Sequence, residues 1–346
     1  MATSITNVTA RREDGDTALL ARIAWYYHRD GKTQEAIGRL LGMSRQRVMR
    51  ALRRAQQRAV LEIRINHAST PLLELGSGLK RRFRLADAVV VRAPAEAAAA
   101  EVGSAAADYL AHVLRAGDVL GTSWGSTLHA VAQYLPRRPI RGLTVVVLNG
   151  ALAKGPVDMN AFDLAGTTAE RLGGRALFLL VPTIVDSPAL CRAIASDRTI
   201  SEVLKAGRRA TKAIFGIGAA SDRAAMVRVG MLRPALMARL RARGAVGDIL
   251  GRFIDVEGRP LKEDPYPRTV GLDLDELRRI PMKICVVHGA AKVPALLGAL
   301  RGGYIDALIT DEGTARVALD RDARAAAVSP GARASNAATV GDMRGP

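Results

Sequence analysis

The sequence predicts an α/β protein in which a helix-turn-helix precedes a larger domain built on a mostly parallel sheet. Three observations carry this. Residues 33–58, TQEAIGRLLGMSRQRVMRALRRAQQR, hold two short helical patterns broken at Leu41-Gly42-Met43. From about Asp87 onward, short apolar runs alternate with segments long enough for crossover helices. Charge is also uneven: residues 1–70 carry 13 basic and 6 acidic side chains, a net of +7, which leaves +11 of the total +18 for the other 276 residues.

Residues 1–16 are polar and unpatterned, which predicts a frayed arm. A first helix starts near Thr17 and carries Leu19, Leu20, Ile23, Ala24 and Tyr27 at helical spacing until Asp30-Gly31 ends it. Thr33 then caps a second helix with Ala36, Ile37 and Leu40 on one face, and Gly42 supplies the left-handed stop. Ser44 caps the third. There Val48, Ala51, Leu52 and Ala55 form the inward stripe, leaving a strongly cationic outer side.

Such a helix suits DNA, because arginine neutralises phosphate with release of counterions and its planar fork matches the guanine edge. Residues near the helix start reach bases first. The expected DNA-binding set is Ser44, Arg45, Gln46, Arg47, Arg50, Arg53 and Arg54, with Arg45, Gln46, Arg47 and Arg50 toward bases or phosphates. Arg53, Arg54 and Arg58 lie further along and suit the backbone. The alternative for any arginine-rich helix is a solvated face. Caps, glycine turn and inward stripe occurring together argue against it.

Leu61, Ile63 and Ile65 alternate with polar residues as a short strand or wing would. The predicted domains are therefore 17–66, a linker at 67–71, and 72–320. Leu72, Leu75 and Leu79 open the second domain with a helix whose end carries Lys80, Arg81, Arg82 and Arg84. Seven strands are predicted at 88–91, 119–123, 144–148, 176–180, 213–217, 284–288 and 306–310. Residues 321–346, rich in Ala, Arg, Gly, Ser and Pro without period, read as a disordered tail.

In a parallel sheet of this kind ligands sit beyond the carboxyl ends of the strands. The turn Gly121-Thr122-Ser123-Trp124-Gly125-Ser126-Thr127 follows a strand and opens a helix, where backbone amides and hydroxyls could cradle an anion. Gly216-Ile217-Gly218 punctuates another strand end. Asp248 and Asp255 flank a further loop as carboxylates that could hold sugar hydroxyls, and Lys292 lies near a helix start after His288-Gly289, where it could pin a phosphate. No Walker or GxGxxG spacing occurs, so no nucleotide cofactor is expected.

At 346 residues and 49% hydrophobic, the chain has room for two domains and a sizeable core. Cys191 and Cys285 stand far apart, and the histidines His28, His67, His112, His129 and His288 show no ligand spacing, so neither a disulfide nor a metal site is expected. With no signal-type segment and no apolar run of bilayer length, the expectation is a cytoplasmic protein without a membrane partner.

The stretches ARIAWYYHRDGKTQEAIGRLLGMSRQRVMRAL, VLGTSWGSTL, LLVPTIVDSPALCRAI, FGIGA, GAVGDILGRFID and ICVVHGAAKVPALLGALRGGYIDALITDEGTA, in this order, resemble the SorC family of bacterial transcriptional regulators. The resemblance covers about Ala21 to Leu319. It implies a Rossmann-like effector domain similar in fold to phosphosugar isomerases, a homotetramer, a double-stranded DNA operator, and a sugar, polyol or phosphosugar effector. Carried over by motif, its effector-binding residues are Gly125, Ser126, Thr127, Asp248 and Lys292. The chain departs from the family's pattern in having Ala290-Ala291 directly before the lysine.

The leading function is a DNA-binding transcriptional regulator, with no catalytic residues. The alternative is a phosphosugar isomerase-like enzyme carrying a DNA-binding arm, with Lys292 as Schiff-base amine or Asp248 as base. Neither has a second partner fixed by spacing to activate it.

Overall fold

The computed structural model describes residues 5–61, 69–151 and 161–328. The chain divides into two compact units, residues 1–70 and 71–346.

The first unit is built from α1 (Ile5–His28), α2 (Gln34–Leu41) and α3 (Arg45–Gln57). Leu20, Ile23 and Ala24 of α1 meet Ile37 of α2 and Val48, Leu52 and Ala55 of α3 in one small core. Both predicted caps are made: Thr33 Oγ1 accepts from the Ala36 amide and Ser44 Oγ from the Arg47 amide, each at 3.2 Å. Gly42 sits at φ 63°, ψ 36°, the left-handed conformation a Cβ disfavours.

Three expectations change here. Helix α1 starts at Ile5 instead of near Thr17. A helix nucleated on the Leu20 stripe propagates toward the N-terminus because Ala10, Arg11, Arg12 and Glu13 are good helix formers. Leu40 is exposed and Leu41 packs inward, because α2 buries Ile37 and Gly38 and the residue one turn beyond Ile37 is Leu41. By the same phase shift Tyr26, not Tyr27, packs on the core. The predicted wing residues Ile63 and Ile65, and most of the linker, lie outside the described residues. Thr70 and Pro71 of that linker are already helical, in α4.

The second unit runs α4 (Thr70–Phe83), β1 (Asp87–Val91), α5 (Ala98–Val113), β2 (Val119–Thr122), α6 (Ser126–Tyr134), β3 (Thr144–Val147), α7 (Ala161–Arg171), β4 (Arg175–Leu177), α8 (Pro188–Ser196), α9 (Arg198–Arg208) and β5 (Lys212–Phe215). It continues with β6 (Gly218–Ala219), α10 (Ala225–Arg228), α11 (Pro234–Ala242), β7 (Gly247–Ile249), β8 (Arg252–Ile254), α12 (Leu274–Arg278), β9 (Met282–Val287), α13 (Val293–Arg301), β10 (Ala307–Asp311) and α14 (Glu312–Val328).

All seven predicted strands pair in parallel in one sheet of order β1-β10-β9-β5-β2-β3-β4. Every residue of β3 and β10 is buried, as expected for strands covered on both faces. Helices α5, α6 and α7 pack side by side against the sheet. The chain leaves β2 toward β3 but leaves β5 toward β9, so the topological switch point, where a crevice opens, lies between β2 and β5.

A second, three-stranded antiparallel sheet, β6-β7-β8, was not predicted. Its strands are two or three residues long, too short to show a period. With α10 and α11 it forms a separate core around Met226, Leu232, Met237, Leu240 and Phe253.

The predicted tail is corrected over 321–328, which continue α14. The helix is retained because Asp322 is buried and pairs with Arg301 at 2.8 Å and with Arg82 of α4. Residues 329–346 lie outside the described residues. Arg82 and, through Asp87, Lys80 are thus tied within the domain.

Candidate effector cavity and cationic helix

The strand ends flanking the switch point build a cavity of about 310 Å³. β2 delivers Ser123, Trp124, Gly125, Ser126 and Thr127; β5 delivers Gly216, Ile217 and Gly218; Lys292 follows β9. The antiparallel hairpin adds Asp248, Leu250 and Gly251, and the segment around α10 adds Ser221, Arg223 and Arg228. All five residues expected to bind an effector line this one cavity. Its volume suits a small sugar-sized molecule.

Each side chain is placed by local structure. Gly125, at φ 143°, precedes α6 and lets the backbone turn so that Ser126 and Thr127 form the helix's first turn, where free amides favour an anion. Asp248 lies in β7 directly opposite Gly218 of β6. It is buried, and its Oδ2 accepts one hydrogen bond, from the Gly251 amide at 3.2 Å. Burial pushes its carboxyl up to about 6, against the opposing pull of the Gly251 amide and the Lys292 ammonium.

Lys292 ends the 3₁₀ turn Ala290–Lys292 and stands at the start of α13. The turn is tethered from below: Asp311 at the end of β10 accepts from the Gly289 amide at 3.1 Å and the Thr314 amide at 2.9 Å. Burial holds the Lys292 ammonium below its usual range, opposed by Cys285 and Asp248. Among the described residues Lys292 makes no ion pair within 4 Å. A buried carboxyl and a largely desolvated ammonium thus line one cavity, an arrangement that can take an anionic group at one place and a hydroxyl at another.

Asp255, the other carboxylate considered, does not line the cavity. It closes a turn by accepting from the Glu257 and Arg259 amides and from Arg259 Nε, and these bonds keep its carboxyl below the usual range despite burial. The sequence reading missed the wall formed by Arg223, Met226 and Arg228. That segment shows no strand or helix period, and its arginines read as ordinary surface charge.

In the first unit, Arg45, Gln46, Arg47, Arg50, Arg53 and Arg54 are all exposed, and Ser44 caps the helix that carries them. Arg54 and Arg58 reach back to Asp16 of α1, at 3.0 and 2.9 Å. No ion pair engages Arg45, Arg47, Arg50 or Arg53 among the described residues. The free cations therefore gather toward the N-terminal half of α3. No helix among the described residues is long and apolar enough to cross a membrane.

Comparisons with known proteins agree with this architecture. A family model described as "Putative sugar-binding domain" matches residues 68–320. The chain is 32% identical over 303 residues to the transcriptional regulator YjhU of Escherichia coli K12, covering 85% of this chain and 92% of that one. It is 31% identical over 293 residues to the deoxyribonucleoside regulator of Bacillus subtilis 168, covering 84% and 93%. The structure of the full-length sorbitol operon regulator SorC from Klebsiella pneumoniae superposes with a TM-score of 0.69 at 28% identity, covering 88% of this chain and 99% of that one. Matched along nearly its whole length in this way, the chain belongs to the SorC family of transcriptional regulators, with a sugar-binding domain following its N-terminal helices.

Proposed function

We propose that the 310 Å³ cavity binds a sugar, polyol or phosphosugar effector and that its occupation changes how α3 engages an operator. The observation that supports this reading is convergence: Gly125, Ser126, Thr127, Asp248 and Lys292, drawn from three separate regions of the sequence, line one cavity at the topological switch point. Helices α2 and α3, with their side-chain caps and left-handed Gly42, act as the helix-turn-helix, and Arg45, Gln46, Arg47 and Arg50 read or grip DNA. Arg53 and Arg54 contact phosphates, Arg54 in exchange for Asp16. Ser44 sets the start of the recognition helix.

In this reading the protein is a homotetramer and not an enzyme. Among the described residues no acid or base stands within hydrogen-bond distance of Lys292 Nζ, and the Asp248 carboxylate bonds only the Gly251 amide. The effector acts by binding one subunit arrangement more tightly than the other, since only differential affinity shifts such an equilibrium.

The test is a titration of wild type and Lys292→Met with pentose and hexose phosphates and their unphosphorylated parents. Methionine keeps the apolar stem and removes the charge. Loss of a charge-assisted hydrogen bond should cost about 1.5 to 3 kcal/mol, roughly tenfold to a hundredfold in Kd for a phosphorylated ligand. A mutant that loses nothing against any ligand would remove Lys292 from the site.

A further inference from the structure

Residues 221–230, between β6 and α11, form one wall of the cavity and carry Arg223 and Arg228 into its lining. Neither guanidinium forms an ion pair among the described residues. Their neighbours do: Arg241 pairs with Asp222 at 3.0 Å, and Arg243 pairs with Glu263. Asp222 and Glu263 are thus occupied by arginines that do not line the cavity, and the two arginines that border it are left without an ion pair among the described residues. Asp222, the carboxylate adjacent to Arg223, is the one taken by Arg241.

The wall is anchored to the Trp124-Gly125 turn by packing. Met226 is buried, and together with Ala224 and Val227 it belongs to the apolar cluster that also contacts Trp124, the residue preceding Gly125. On the same segment, the exposed arginines at 223 and 228 flank this anchored stretch. With Lys292, three cations border a cavity whose lining contains a single carboxylate, Asp248. An ionised Asp248 leaves a net of +2, the charge of one phosphate monoester dianion with opposite sign; a neutral sugar would leave it uncompensated.

Resting on the proposal that this cavity holds the effector, we infer that Arg223 and Arg228 are effector-binding residues that select for an anionic group by clamping it between their guanidinium groups and the rest of the cavity lining. Planar forked donors suit phosphate oxygens bidentately, whereas the Lys292 ammonium acts as a point charge.

The test compares wild type, Arg223→Gln, Arg228→Gln, the double variant and Arg243→Gln as a control cation of the same sub-lobe. Each is titrated calorimetrically with pentose and hexose phosphates, their unphosphorylated parents and inorganic phosphate, with melting curves to verify folding. The expected result is a loss of roughly tenfold per arginine toward phosphorylated ligands, more in the double variant, with unphosphorylated sugars and Arg243→Gln unaffected. Wild-type affinity for phosphorylated ligands in the double variant, while Lys292→Met loses affinity, overturns the clamp and leaves the cavity reading intact. Binding of unphosphorylated sugars alone by wild type likewise overturns the clamp but not the cavity. Absence of binding by any of these ligands overturns both.

Discussion

Gly218 and Asp248 face each other across the β6–β7 pair so closely that a Cβ added to Gly218 would lie 2.0 Å from Oδ1 of Asp248. The carboxylate occupies the space a side chain would need, so the glycine is what lets a buried acid lie against the backbone at the cavity wall. Gly218→Ala should displace Asp248 at a stability cost of about 1 to 3 kcal/mol. Effector affinity should fall, and Asp248→Ala should lower it to a similar extent. Calorimetric titration beside a melting curve measures both. Unchanged affinity would mean that Asp248 bonds no effector.

The same carboxylate gives a pH signature. Its native pKa, about 6, exceeds the ordinary 3.8, so the protonated acid contributes stability that is fully present below about pH 4 and lost as pH rises through 6. Asp248→Asn removes that loss. The variant without effector should be more stable than wild type at pH 7.5, by on the order of 1 to 3 kcal/mol, with the difference vanishing near pH 4. Denaturant midpoints at the two pH values decide this. A constant difference would show that Asp248 does not titrate in this window.

Asp322 links α14 to Arg301 and to Arg82, and it is buried. Removing its charge leaves Arg301, itself only 14% exposed at the side chain, with the more distant and exposed Glu257 at 3.5 Å as its remaining ion-pair partner. Asp322→Ala should destabilise the second unit by roughly 3 kcal/mol, the scale for breaking a buried pair on one side. A fragment comprising residues 71–328 should melt higher than one ending at 320. Equal melting temperatures would make the pair a surface ornament.

On α3, Arg45→Ala or Gln46→Ala should lower preference for operator over random DNA by roughly 1 to 3 kcal/mol. Arg53→Ala should instead weaken all sequences alike and reduce the salt slope by about one. Binding measured on both DNAs over a range of salt separates the two roles. An equal loss of specificity in all three variants would contradict the division.

The sequence by itself determined the elements whose signal is periodic or chemical over several residues. The inner strands of the main sheet were legible because burial on both faces demands continuous apolar runs, and α2 and α3 because Thr33, Gly42 and Ser44 end or start helices by local bonding. Gly125, Ser126, Thr127, Asp248 and Lys292 could each be singled out as candidates, one by one.

Tertiary structure alone decided their meeting. Strand order, with β5 and β2 adjacent, brings residues 125 and 292 to one cavity, and pairing order depends on long-range packing that no local window contains. It also decided the phase of α1 and α2, where Tyr26 and Leu41 turn inward instead of Tyr27 and Leu40, and the persistence of α14 to Val328, which a single buried carboxylate secures. Arg223 and Arg228 show the limit most plainly: an arginine's sequence neighbours do not tell whether it borders a cavity or whether a carboxylate from another element reaches it.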